Sequence, residues 1–229
     1  FLKENPGPLP GDAAGRLLEI GRRAFAPYRD RPGVWAFWWP RFERIAGWFI
    51  DVERARRADL KASASEADGR LTIDGPAGPF VLTAKADRID TLADGTLAII
   101  DYKTGAPPSR REVAAGFAPQ LPLEATIAQA GGFDGVPGAT VSALDYWRLR
   151  GGEPAGERVS AARTGKDGKD VPTLIAEALD GLGALIAAFD REDTPYEARP
   201  RPDAAPRFSD YEHLARIKEW STSGEEDGR

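Results

Sequence analysis

The 229-residue chain contains no cysteine and no methionine, and its single histidine is His213. Without cysteine there is no disulfide, no thiol nucleophile, no iron–sulfur cluster and no zinc–thiolate site. One histidine excludes a multi-histidine metal centre. The missing methionine, position 1 included, is expected of a piece of a longer protein. No uninterrupted apolar run reaches the ~18 residues that suggest a membrane span. No charged-then-apolar leader opens the chain, so secretion has no support, and a cytoplasmic location away from membranes is expected. A basic excess is lacking too: 31 Lys and Arg stand against 36 Asp and Glu, for a net charge of −5. That excludes a polycationic nucleic-acid coat. It leaves room for an enzyme that needs acids for a metal ion and only a local basic track for a strand.

What is present indicates a folded core: 41% of residues are hydrophobic and 29% charged. Glycine and proline are frequent but follow no repeat. Residues 10–28 read as a helix capped by Asp12, with Leu17, Leu18, Ile20 and Phe25 on one stripe. Residues 34–60 read as a long aromatic-rich helix broken early by Pro40. Its aromatics, Trp35, Phe37, Trp38, Trp39, Phe42, Trp48 and Phe49, are expected to pack in the core, with base stacking the sharper alternative. The charged end, Glu53 to Arg57, reads as a solvated terminus.

From residue 60 the period becomes strand-like. Residues 61–66 alternate polar and small, 70–74 form a short strand, and 80–90 a longer one. Ala93-Asp94-Gly95 marks a hairpin turn, and 96–102 follow as a strand, which makes an antiparallel meander. Residues 110–130 read as helix broken near Pro119 and Pro122, and 139–149 as a strand. Residues 158–169 read as a mobile polar loop, with Arg158, Arg163, Lys166 and Lys169 as minority candidates for DNA contact. Residues 171–189 read as an amphipathic helix, 194–206 as extended chain, 211–220 as a short helix, and 221–229 as a frayed tail. The expectation is a single domain over 1–220: a helical part (1–60), a catalytic sheet and helix (61–150), and a helix with a docking tail (151–220).

The stretch that carries chemistry is Ala86-Asp87-Arg88-Ile89-Asp90 followed by Ile99-Ile100-Asp101-Tyr102-Lys103-Thr104-Gly105. Asp87 and Asp101 fall on adjacent strands joined by a tight turn, so they can occupy neighbouring points of one sheet. Lys103 lies two residues after Asp101, and the strand period of two puts both on one face. Two carboxylates can hold a hard divalent cation, which activates water and neutralises charge on a phosphate. An adjacent lysine can orient or deprotonate that water, or hold the phosphate. An ionisable Asp101 directly after an apolar run is otherwise unexpected at a strand tip. Asp90 and Asp94 read as ordinary hairpin-end residues.

These residues resemble the PD-(D/E)XK nuclease signature, and more narrowly the RecB-type nuclease domains. The form of those domains is an Asp-Arg-Ile-Asp strand, a second strand ending Asp-Tyr-Lys-Ser/Thr-Gly, and a helix with Gln-x-x-x-Tyr. Here Gln120-Leu121-Pro122-Leu123-Glu124 supplies the helix, with Glu124 in place of the tyrosine. The resemblance runs over residues 66–129 and is strongest to the C-terminal nuclease domains of AddB-type helicase–nuclease subunits.

That resemblance implies a restriction-endonuclease-like α/β fold, a mixed sheet flanked by helices. It implies Mg2+-dependent exonucleolytic cleavage of DNA, with Mn2+ as an alternative metal and no iron–sulfur cluster. Asp87, Asp101 and the Tyr102 backbone carbonyl would be ligands, Lys103 and Gln120 catalytic residues, and Glu66 a further candidate ligand. It also implies an AddA-type partner subunit and a role in double-strand-break repair by recombination. RecB-type domains carry a metal-binding histidine on an upstream helix. None precedes His213, and residues 1–3 read as the tail of that helix, so the chain alone is expected to hold metal weakly and to be inactive. The alternative reading is an inactive nuclease-like scaffold that guides DNA or binds a helicase.

Overall fold

The computed structural model describes residues 1–163 and 169–196. The readings of Lys166, His213, the 211–220 helix and the terminal tail lie outside those residues. Two compact units are present, Phe1–Ala187 and the residues from Ala188 onward. All that follows concerns the first.

Helix α1 spans Ala13–Phe25 and a single 3-10 turn, Ala26–Tyr28, extends it. Asp12 does not cap it; the carboxylate pairs with Arg16 one turn later, at 3.1 Å. Helix α2 runs unbroken from Pro32 to Arg57, with Pro40 inside it. Pro40 lacks the N–H for the Ala36 carbonyl, but Ala36 is exposed, so water can take that bond. Aromatic packing on α1 holds the early turns: Phe25 meets Trp39 edge-on at 5.9 Å and Phe42 at 5.9 Å.

Among the described residues, five strands form one sheet in the order β1-β2-β3-β4-β5. Strands β1 (Leu60–Gly75), β2 (Gly78–Leu92) and β3 (Leu97–Lys103) make the expected antiparallel meander. The two segments expected before residue 75 are one strand, irregular at Glu66, whose φ of 53° is left-handed. Strand β4 (Val141–Leu149) runs parallel to β3, and β5 (Gly156–Ser160) antiparallel to β4. The crossover from β3 to β4 carries α3 (Arg110–Ala114) and α4 (Gln120–Gln129). Ser109 and Glu112 cap α3 reciprocally. Strand β5 takes up the start of the segment expected to be a loop. In what remains, Lys169 donates to the Ala114 carbonyl at 2.6 Å and pairs with Glu177, so it supports the fold.

The sheet is mixed and covered on both faces, the α/β arrangement expected. Ile89, Ile99, Leu144 and Tyr146 face α4, where Leu121, Ala125 and Ala128 meet them in the core with Val171, Leu174 and Ile175 of α5 (Val171–Phe189). Each Leu, Ile or Val side chain there contributes about 1.5–3 kcal/mol when fully buried. By length and composition alone α5 could cross a membrane, although Glu177 and Asp180 interrupt it. The other sheet face receives α2, where Trp48 and Phe49 meet Trp147 edge-on at 5.8 and 5.9 Å. Close approach there demands glycine: a Cβ on Gly156 would lie 2.4 Å from the Trp48 ring.

Candidate active site

Residues alternate across β2 and β3. Ile89 opposes Ile99 on the α4 face, and Arg88 opposes Ile100 on the α2 face. The next positions outward are Asp87 and Asp101, which return to the α4 face. The Asp87 carboxylate accepts the Tyr102 backbone N–H at 2.9 Å, which fixes it at the end of β3. Burial raises the Asp87 pKa; the Tyr102 N–H opposes that rise, and the Asp101 and Glu66 charges add to it.

Asp101 is 3% exposed and sits at the centre of the cluster. Lys103 Nζ lies 2.8 Å from Oδ2 and 3.1 Å from Oδ1, so both residues share a face. Only the Oδ1 contact has hydrogen-bond geometry, which leaves Oδ2 ion-paired but without a hydrogen bond. Gln120, the first residue of α4, bridges the pair. Its amide donates to Asp101 Oδ1 at 2.7 Å, and its carbonyl accepts from Lys103 Nζ at 3.3 Å. Sequence spacing alone brings Asp101 and Lys103 together; the crossover to α4 delivers Gln120.

Glu124 belongs to the same cluster, and the sequence reading missed it. It is 4% exposed, accepts from the Gln120 amide at 3.1 Å, and has a buried Oε2 with no hydrogen-bond partner. Burial pushes its pKa up to about 7, opposed by Gln120, with the Asp101 and Asp87 charges adding to the rise. The available signal was its position four residues after Gln120, one turn along the same helix face. Tyr146, opposite Asp101 on β4, is also there, with its hydroxyl buried and unpaired. Burial raises its pKa, and Asp101 and Glu124 add to that.

Glu66 is placed differently. The β1–β2 register puts it across from Asp87, yet its carboxylate pairs with Lys85 at 2.9 Å and is half exposed. The Tyr102 ring turns to the opposite face, 6.3 Å from Phe49.

Two readings of charge are corrected. Glu53 to Arg57 is not a solvated terminus, and Asp90 is not an ordinary hairpin residue. Glu53, Arg88 and Asp90 are fully buried. Arg88 donates to Glu53 and, at 2.7 Å, to Asp90. Arg56 donates to Asp90 at 2.7 Å, and Arg57 reaches Glu53 at 3.3 Å. The physical reason is the alternation of β2, which turns Arg88 and Asp90 inward beneath α2, where only opposite charges can satisfy them. Asp94 does behave as read: it is exposed and accepts the Thr96 N–H at 2.8 Å.

The residues suit a hard divalent cation in donor chemistry. Asp101 Oδ2 and Glu124 Oε2 are buried carboxylate oxygens without a hydrogen bond. Among the described residues, no group of three or more His, Cys, Asp or Glu side chains is arranged to hold a metal ion, and the ammonium of Lys103 lies against Asp101 instead.

The sequence has relatives in Rickettsia. It is 32% identical over 85 residues to an uncharacterized protein of Rickettsia conorii, covering 37% of this chain and 10% of that protein. It is 28% identical over 97 residues to an uncharacterized protein of Rickettsia bellii, covering 42% and 12%. The matched segments thus cover about a tenth of the length of these curated relatives. Residues 4–205 match the PD-(D/E)XK nuclease superfamily, whose members generally use divalent metals such as Mg2+. With the mixed sheet and the Asp87, Asp101 and Lys103 cluster on its α4 face, the chain belongs to the PD-(D/E)XK nuclease superfamily.

Proposed function

We propose that the chain is a DNA nuclease domain that hydrolyses phosphodiester bonds with Mg2+, or Mn2+, at the Asp87–Asp101–Lys103–Gln120 cluster. The carrying observation is the Gln120 bridge, whose amide holds Asp101 while its carbonyl holds Lys103. A bound cation would activate water and offset charge on the phosphate. Asp87 and Asp101 would hold it through carboxylate oxygens, with the Tyr102 carbonyl as a third donor. Lys103 would contact the attacking water or the scissile phosphate, and Gln120 would keep its ammonium aimed. Glu66 ranks below these residues, because Lys85 engages it.

In the finer reading this is the exonuclease domain of an AddB-type helicase–nuclease subunit, cytoplasmic, partnered by an AddA-type subunit and acting in recombinational repair of double-strand breaks. Its support is the motif resemblance and the great length of the matched relatives. Co-purification of a helicase subunit with the native protein tests that part.

The activity test is cleavage of an end-labelled single-stranded oligonucleotide by the full native protein with Mg2+ or Mn2+. Metal-dependent cleavage that vanishes in Lys103→Ala is expected. Absence of cleavage by the full native protein, under conditions where it binds the metal, would favour the scaffold reading.

A further inference from the structure

Four of the six tryptophans lie within residues 35–48, and they do not all serve the core. Phe37 and Trp38 are 73% and 55% exposed. Consecutive on α2, they point about 100° apart, and two large exposed apolar side chains in so short a stretch suit an interaction surface. The neighbouring indole rings are held by contacts. Trp35 stacks on Trp39 at 4.9 Å and 3°, Trp39 is buried against α1, and the Arg41 guanidinium lies 5.8 Å over the Trp38 ring. Beside them opens a cleft of about 520 Å³ lined by Arg22, Arg29, Pro32, Trp35 and Ala36.

The charge around this patch opposes that of the chain. Residues 22–44 carry six arginines and two acids, within a protein of net charge −5. The position is equally specific. Strands β3 and β4 are parallel and end together, Lys103 opposite Arg148. Gly151 follows, and its carbonyl accepts from Arg44 Nε at 2.7 Å. Gly151 has φ of 63°, and a Cβ there would lie 2.6 Å from Arg41 Cβ, so the chain presses directly on α2. The aromatic ridge therefore begins at the end of the sheet that carries Lys103. It continues about 14 Å further along α2, from Arg44 to Trp35.

We propose that this ridge, Trp35, Phe37 and Trp38 rimmed by Arg22, Arg29 and Arg41, is a docking track for single-stranded DNA leading to the catalytic end of the sheet. Exposed rings stack on bases regardless of sequence, and arginines pair with phosphates and lie over rings. A polyanion with flat bases matches both the ring faces and the local positive charge; an acidic protein surface matches only the charge. The proposal rests on the nuclease reading for its substrate, but binding can be measured without cleavage.

The test uses the 229-residue chain and fluorescein-labelled (dT)20 in EDTA, with fluorescence anisotropy across a salt series. Phe37→Ala/Trp38→Ala is expected to lose tenfold or more in affinity with an unchanged salt slope. Arg29→Gln/Arg41→Gln is expected to flatten that slope by about 0.7 for each phosphate no longer neutralised. Both pairs are exposed, so their melting curves should match the parent's. Unchanged affinity in the aromatic variant, or no binding by the parent, overturns the proposal. A changed oligomeric state with unchanged affinity also overturns it and assigns the ridge to a protein contact. A parent that cleaves DNA while the ridge variants bind normally sinks the ridge alone. Ridge-dependent binding by the chain, together with no cleavage by the full native protein when it holds metal, supports the ridge and sinks the nuclease reading.

Discussion

Asp87 accepts the backbone N–H of Tyr102 at 2.9 Å, so the carboxylate of one strand is fastened to the main chain between Asp101 and Lys103 on the next. This bond sets the site's geometry from the backbone, independent of long flexible side chains. Burial raises the pKa of this carboxylate, the Tyr102 N–H opposes that rise, and the neighbouring Asp101 charge adds to it.

Lys103→Ala should abolish metal-dependent cleavage and leave the fold intact. The Lys103 side chain is 31% exposed and its loss opens no core cavity, but it leaves the buried Asp101 carboxylate held only by Gln120, so a loss of roughly 1–3 kcal/mol is expected in a chain that still folds. Oligonucleotide cleavage alongside a thermal melt checks both. A variant that cuts at the parental rate ends the assigned role.

Asp101→Asn should weaken Mn2+ binding tenfold or more in calorimetric titration, because it removes a charge from the cluster's centre. The amide side chain is nearly isosteric, so folding should survive. Equal affinity in parent and variant would remove Asp101 from the ligand set.

Glu124 should make stability fall as pH rises. Its ordinary value is 4.5, and in the folded chain it titrates near 7. Between those values the folded state holds more protons than the unfolded state. Stability therefore drops from about pH 4.5 through about 7, by at most about 1.4 kcal/mol per pH unit, and levels off above. Glu124→Gln keeps an acceptor for Gln120 and loses the titration. Urea unfolding in EDTA at pH 5 and pH 8 should show a smaller decline for this variant; identical declines would contradict the account.

Glu53→Ala should cost about 3–5 kcal/mol, because it strands the buried Arg88 cation with only Asp90 to pair it. Urea denaturation measures this. A cost under about 1 kcal/mol would show that Arg88 finds another partner or water.

Local rules made much of this protein legible in its sequence. The Asp-Gly turn after Ala93 and the alternation in 80–90 and 97–102 dictate a hairpin. A period of two puts Asp101 and Lys103 on one face, and the hairpin brings Asp87 opposite. The helix at 171–189 followed from its apolar stripe. Each of these depends on neighbours within a few residues, or on one tight turn.

The tertiary structure alone decided the rest. Only the parallel placement of β4 brings Tyr146 against Asp101, and only the α3–α4 crossover sets Gln120 and Glu124 beneath the strand end. Only the docking of α2 pairs Glu53 with Arg88, 35 positions away. Alternation assigns a side chain to a face but says nothing of what covers that face. A charge in the sequence reads as solvated until a distant helix is laid over it, and burial then forces it to find a partner or shift its pKa. For the same reason Phe37 and Trp38 read as core: their apolar character is local, whereas their exposure depends on α1 covering Trp39 and leaving the other side of the helix open.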